Sequence, residues 1–127
     1  MSKILLIDDY KTSRDLLQDL LQKRGYQVDP AKDGEEGYQL AQQSAYDLIL
    51  VDLVLPRTSA YSLIQQLLRH SSPVPPKQLA ILYTVGSENL LEPIKELGIT
   101  NFILKSTTNQ DAIISQVTNL CPLPSPP

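Results

Sequence analysis

The sequence predicts an α/β fold, a doubly wound five-stranded parallel sheet with helices on both faces. Two observations carry this. Short apolar or β-branched runs recur along the 127 residues, and stretches with apolar residues at helical spacing lie between them. Alternating strands and helices favour parallel strands joined by right-handed crossovers, which leave a crevice at the carboxyl ends of the strands.

The first strand is expected at residues 3–7, followed by a helix marked by Leu16, Leu17, Leu20 and Leu21. A weaker strand at 26–30 starts after Gly25 and ends at a proline, and Tyr38, Leu40 and Ala41 mark the second helix. Strand three, residues 47–51, precedes a helix carrying Leu63, Ile64, Leu67 and Leu68. Residues 71–76 hold three prolines and read as a loop before strand four at 79–83. The next helix, within 88–97, is expected to be short or to start late, because Pro93 lacks an amide hydrogen and disfavours helical geometry at Glu92. Strand five is expected at 101–104. Thr108 with Asp111 at N3 then opens a last helix carrying Ile113, Ile114, Val117 and Leu120. Residues 1–121 form one domain, and 122–127, four of them proline, form an extended tail.

Composition narrows the function classes. A net charge of -3, spread without acidic or basic blocks, argues against direct DNA binding and against an anionic membrane surface. The single cysteine, Cys121, allows no intrachain disulfide and suits a reducing cytoplasm. Apolar runs stay far below the roughly 20 residues of a spanning helix, and Asp8 and Asp9 come too early for a signal peptide. The expectation is a soluble, cytoplasmic protein.

The polar residues at the predicted strand ends point to a chemistry. Asp8 and Asp9 follow strand one, Asp52 ends strand three, Thr84 ends strand four and Lys105 ends strand five. Alone, an Asp pair after a strand marks a turn or cap, a Lys is a solvated charge and a Thr is a strand residue. Gathered on one rim, three carboxylates need a cation, and Mg²⁺ suits an oxygen-only set. Asp9 and Asp52 would bind it directly and Asp8 through water. Lys105 would pair with Asp52 and then with a phosphoryl oxygen, and the Thr84 hydroxyl would donate to another. Phosphoryl transfer needs such positioning and charge neutralisation, with a carboxylate as nucleophile, and Asp52 is best placed for that role.

These residues lie in runs that resemble the receiver domains of two-component response regulators: ILLIDD at 4–9, YDLILVDLVLP at 46–56, Thr84, and NFILK at 101–105. RGY at 24–26 and DGEE at 33–36 fit the turns flanking strand two. The resemblance implies the flavodoxin-like (βα)5 receiver fold in a stand-alone, single-domain regulator. It implies transfer of a phosphoryl group to Asp52 from a histidine kinase or phosphotransfer protein, with Mg²⁺ held by Asp9, Asp52 and the backbone carbonyl of Val54. Thr84 and Phe102 would be the switch residues, altering a face that meets an effector protein or a second copy in a homodimer; read without the resemblance, Phe102 is ordinary core.

The sequence departs from the family pattern in several places. Ser106 follows Lys105 where most relatives have a cis proline, and a cis bond there would cost about 2.5–4 kcal/mol; a trans peptide with the Ser106 hydroxyl near the site is the alternative. Val85 replaces a smaller residue after Thr84, and Ser59-Ala60 replaces an acidic residue and glycine after Pro56. Pro93 falls in helix four of the usual signalling face. Val54 and Gly86 offer no side chain to orient a hydrolytic water, so a phosphoryl group lasting minutes or longer is expected.

The expected activity is self-catalysed phosphoryl transfer and hydrolysis, without turnover of an external metabolite. The competing readings are a phosphorylation-independent pseudo-receiver and an Asp-nucleophile phosphatase. The second is disfavoured because Leu53 and Val54, not an Asp-x-Asp pair, follow Asp52. His70, in a predicted loop, is read as a surface residue rather than a phosphotransfer histidine.

Overall fold

The computed structural model describes residues 2–57, 59–70, 73–105 and 110–123. It contains β1 (Lys3–Ile7), α1 (Lys11–Lys23), β2 (Gln27–Ala31), α2 (Gly34–Gln43), β3 (Leu48–Asp52), α3 (Ala60–Arg69), β4 (Leu79–Tyr83), α4 (Glu92–Glu96), β5 (Phe102–Leu104) and α5 (Gln110–Leu120). All strand pairs are parallel, in the order β2-β1-β3-β4-β5. The order reverses between β1 and β3, which opens a crevice at their carboxyl ends.

The central strands β1, β3 and β4 are apolar on both faces because helices cover both. Leu5, Ile7, Ile49, Val51 and Ile81 point into one core with α2, α3 and α4. Ile4, Leu6, Leu48, Leu50 and Leu82 point into the other with α1 and α5. The period-2 side-chain alternation of each strand therefore feeds two cores.

Most expected elements occur within a residue of where the sequence places them. β2 runs through Pro30 to Ala31, which its position at the sheet edge permits. In α1, Leu17 and Leu21 are buried, whereas Leu16 is exposed. The short, late fourth helix is present: a 3-10 turn at Glu88–Leu90 precedes α4, and Pro93 sits in the first turn, where its missing amide costs no helical bond. The predicted cap at Thr108, the Lys105–Ser106 peptide and tail residues 124–127 lie outside the described residues.

Two local features constrain the fold near the crevice. Any Cβ at Gly37 would overlap the side chain of Ile7, so only glycine lets α2 lie this close to β1. Arg57, in the loop after β3, has φ of 63°, the left-handed region that favours glycine.

Candidate functional site

Backbone pairing carries each functional side chain to the same rim. The Asp8 amide donates to the Ala31 carbonyl, extending β1, and the Lys105 amide donates to the Tyr83 carbonyl, extending β5. The Leu53 amide donates to the Leu82 carbonyl and fixes the exit of β3 just after Asp52. Asp8, Asp52 and Lys105 thus project from three parallel strands into one crevice.

Lys105 joins the two buried acids. Its Nζ lies 2.7 Å from Asp8 Oδ2 and 2.9 Å from Asp52 Oδ2. The Asp8 side chain has no solvent exposure and that of Asp52 has 12%. Asp52 Oδ1 accepts the Val54 amide at 3.1 Å, which orients the carboxylate. Asp9 is exposed, and ligand oxygens of Asp8, Asp9 and Asp52 all lie within 4.8 Å of one another. Sequence reasoning placed these four residues together, and the structure brings them together.

The electrostatics follow from this arrangement. Burial pushes Asp8 up, but hydrogen bonds from Lys105 and Ser13 and the Lys105 charge outweigh it and hold the carboxyl below its ordinary value. For Asp52, burial wins over Lys105 and the Val54 amide, and the neighbouring Asp8 charge adds to it, so its pKa is raised. Burial opposes the Lys105 charge, yet the two carboxylates hold its pKa above the ordinary value. Three carboxylates and one ammonium leave a formal charge of -2. That excess, with hard oxygen donors converging, suits a divalent cation such as Mg²⁺.

Thr84 sits at the end of β4, exposed, and its contacts run to Ser87 rather than to the carboxylates. Ser87 Oγ donates to the Thr84 carbonyl at 2.6 Å and lies 3.5 Å from Thr84 Oγ1. Phe102 is half-buried at the start of β5, its ring against the core and 5.7 Å from Lys95 Nζ. His70 caps α3 at the end far from the crevice, edge-on to Tyr38 with ring centroids 5.9 Å apart.

Sequence reasoning missed the residues that hold Asp8. Ser13 Oγ donates to Asp8 Oδ2 at 2.8 Å, the Tyr10 amide donates to Asp8 Oδ1 at 3.0 Å, and Arg14 Nη1 donates to the Asp8 carbonyl at 2.8 Å. The signal was positional: the N-cap of α1 is Tyr10, so Ser13 is at N3 and faces back toward the strand end. Finding it required the helix start to the residue, which periodicity does not provide.

A further pattern surrounds the crevice. Among the described residues, the most exposed large apolar side chains lie in the loops at this rim. Tyr10, Val54, Val85 and Leu90 are 50% or more exposed there.

Residues 4–118 match the family model described as "Response regulator receiver domain". The transcriptional regulatory protein PcoR of Escherichia coli is 31% identical over 109 residues, 83% of this chain and 45% of PcoR. A probable chemotaxis protein CheY of Rhizobium etli is 31% identical over 108 residues, 84% of this chain and 82% of that protein. The chain spans about half the length of curated relatives such as PcoR. Among solved structures, Vibrio cholerae chemotaxis protein CheY4 superposes with a TM-score of 0.80 at 25% identity, covering 94% of this chain and 98% of that one. The regulator TrrA of Thermotoga maritima, in complex with Mg²⁺ and BeF, gives 0.75 at 24% identity, covering 94% and 99%.

Proposed function

The chain belongs to the response regulator receiver domain family, and on that premise we propose that it is a phosphorylation-controlled switch whose acceptor is Asp52. The observation that carries this reading is the Asp8-Lys105-Asp52 cluster with Asp9 alongside. The donor is a phosphohistidine of a histidine kinase or phosphotransfer protein. An Asp52 carboxylate oxygen attacks phosphorus, the P–N bond breaks, and the imidazole leaves with its electron pair. The product is an acyl phosphate, later hydrolysed to carboxylate and inorganic phosphate.

Each residue has a distinct task. Asp9, Asp52 and the Val54 carbonyl would hold Mg²⁺, with Asp8 acting through a water. When bound, the ion would supply positive charge against repulsion between the carboxylates and the phosphoryl oxygens. Lys105 moves from Asp52 Oδ2 to a phosphoryl oxygen while keeping Asp8. Thr84 exchanges its Ser87 contact for another phosphoryl oxygen, and Phe102 turns inward as the loop follows. Phosphate favours this second packing only through contacts that the first lacks.

The apolar rim supports a protein partner rather than a free metabolite, because exposed apolar side chains around a charged centre suit a desolvated protein contact. The altered face at α4, β5 and α5 then meets an effector protein or a second copy of the chain. No described helix is long and apolar enough to cross a membrane, and the reading places the protein in the cytoplasm. The complete acid and lysine set favours a phosphoacceptor over a phosphorylation-independent module.

The chemical test is the bond itself. Chain labelled from a phosphohistidine donor should release its phosphoryl group to hydroxylamine, and peptide mapping of the derivative should place it at Asp52. Label that resists hydroxylamine, or that maps to a serine or to His70, would overturn the assignment.

A further inference from the structure

We infer that Ser13 is a positioning residue for the metal site, holding the orientation of the Asp8 carboxylate that a bound cation and its water would meet. This rests on the receiver reading above. Asp8 Oδ2 accepts two donors, Ser13 Oγ at 2.8 Å from α1 and Lys105 Nζ at 2.7 Å from the end of β5. Among the described residues, Oδ1 accepts the Tyr10 amide alone, at 3.0 Å. These three donors set the plane of the carboxylate that Asp8 contributes to the cluster with Asp9 and Asp52.

Helix capping does not account for the Ser13 contact. At a capped start the N-cap side chain accepts an amide of the first turn, and Tyr10 makes no such bond. Here a hydroxyl at N3 donates to a carboxylate with no solvent exposure. Lys105 is shared between Asp8 and Asp52 and is the group that must shift when phosphate arrives. Among the described residues the Ser13 hydroxyl bonds Asp8 and does not touch Asp52, so its bond keeps Asp8 oriented before and after that shift. Outer groups that orient a ligand in this way typically alter metal affinity about 10–100-fold when removed.

The test is Mg²⁺ titration of the full chain by isothermal calorimetry, comparing wild type with Ser13→Ala and Ser13→Thr, with thermal unfolding in chelator beside it. Ser13→Ala should bind Mg²⁺ about 10-fold more weakly and melt a few degrees lower, because a buried carboxylate loses a donor, while Ser13→Thr should stay close to wild type in both. Wild-type affinity in Ser13→Ala would overturn the inference. Equal weakening in Ser13→Thr would also overturn it, since the hydroxyl would then not be the cause. A wild-type chain that takes up no Mg²⁺ would sink the receiver reading and this inference together.

Discussion

Replacing Lys105 with methionine tests the cluster at its weakest point. The change keeps the aliphatic stem but removes the one cation within 2.9 Å of both Asp8 Oδ2 and Asp52 Oδ2. Removing one partner of a buried ion pair costs about 3–5 kcal/mol, because the remaining charge is left uncompensated. Here two carboxylates lose it, while Asp8 keeps the Ser13 and Tyr10 donors and Asp52 keeps the Val54 amide. For a chain of this size each kcal/mol moves the melting temperature by roughly 3–5 °C, so a fall of about 10–20 °C is expected in chelator. Saturating Mg²⁺ should recover part of it. In an Asp52→Asn background the same substitution should cost about 1–2 kcal/mol less, since one of the stranded charges is gone. A loss below about 1 kcal/mol in chelator would show that water already solvates these acids. An identical loss in both backgrounds would show that Lys105 and Asp52 are not coupled.

Gly37→Ala should destabilise by about 1–3 kcal/mol in urea unfolding, because its Cβ would overlap Ile7 across the α2–β1 contact; a neutral result would mean that the helix can move away freely. Arg57→Gly should stabilise by about 0.5–1 kcal/mol by relieving a positive φ, and a loss of stability there would contradict the strain argument. Burial, then the hydrogen bond to Asp29, raises the pKa of Tyr46. The folded chain thus keeps a proton that the unfolded chain sheds near pH 10, so stability is intact below that pH and falls as pH rises above it. Tyr46→Phe should flatten that alkaline decline; parallel curves for the two chains would refute the assignment. The acyl phosphate should persist for minutes or longer with Val54 and Gly86 in place, and complete loss within seconds, read by intact mass, would contradict that.

The strand ends were legible because two simple patterns coincide there. Apolar runs such as 4–7 and 48–51 read as buried parallel strands once helical patterns alternate with them, and the first polar residue after each then emerges at the crevice. That placed Asp8, Asp52 and Lys105 with no contact known. Pro93 likewise announced a short fourth helix, since a proline is tolerated only in a first turn. What stayed hidden depends on precise angles rather than on period. The Ser13 hydroxyl and the Arg14 guanidinium reach Asp8 only because α1 starts at Lys11, and a shift of one residue would turn them away by about 100°. The Thr84–Ser87 contact and the left-handed Arg57 belong to loops, where no repeat exists to read. The exposure of Leu16, beside Leu17 and Leu21, which are buried, and Leu20, which is half-buried, also needed the helix packing to show it.

Intact-mass measurement after incubation with acetyl phosphate reads whether Asp52 accepts a phosphoryl group in a Mg²⁺-dependent reaction. On this assignment wild type should gain one phosphoryl group, with no gain in Asp52→Asn and none in wild type without Mg²⁺. An unchanged mass in wild type with Mg²⁺ present, or an equal gain in Asp52→Asn, would contradict it.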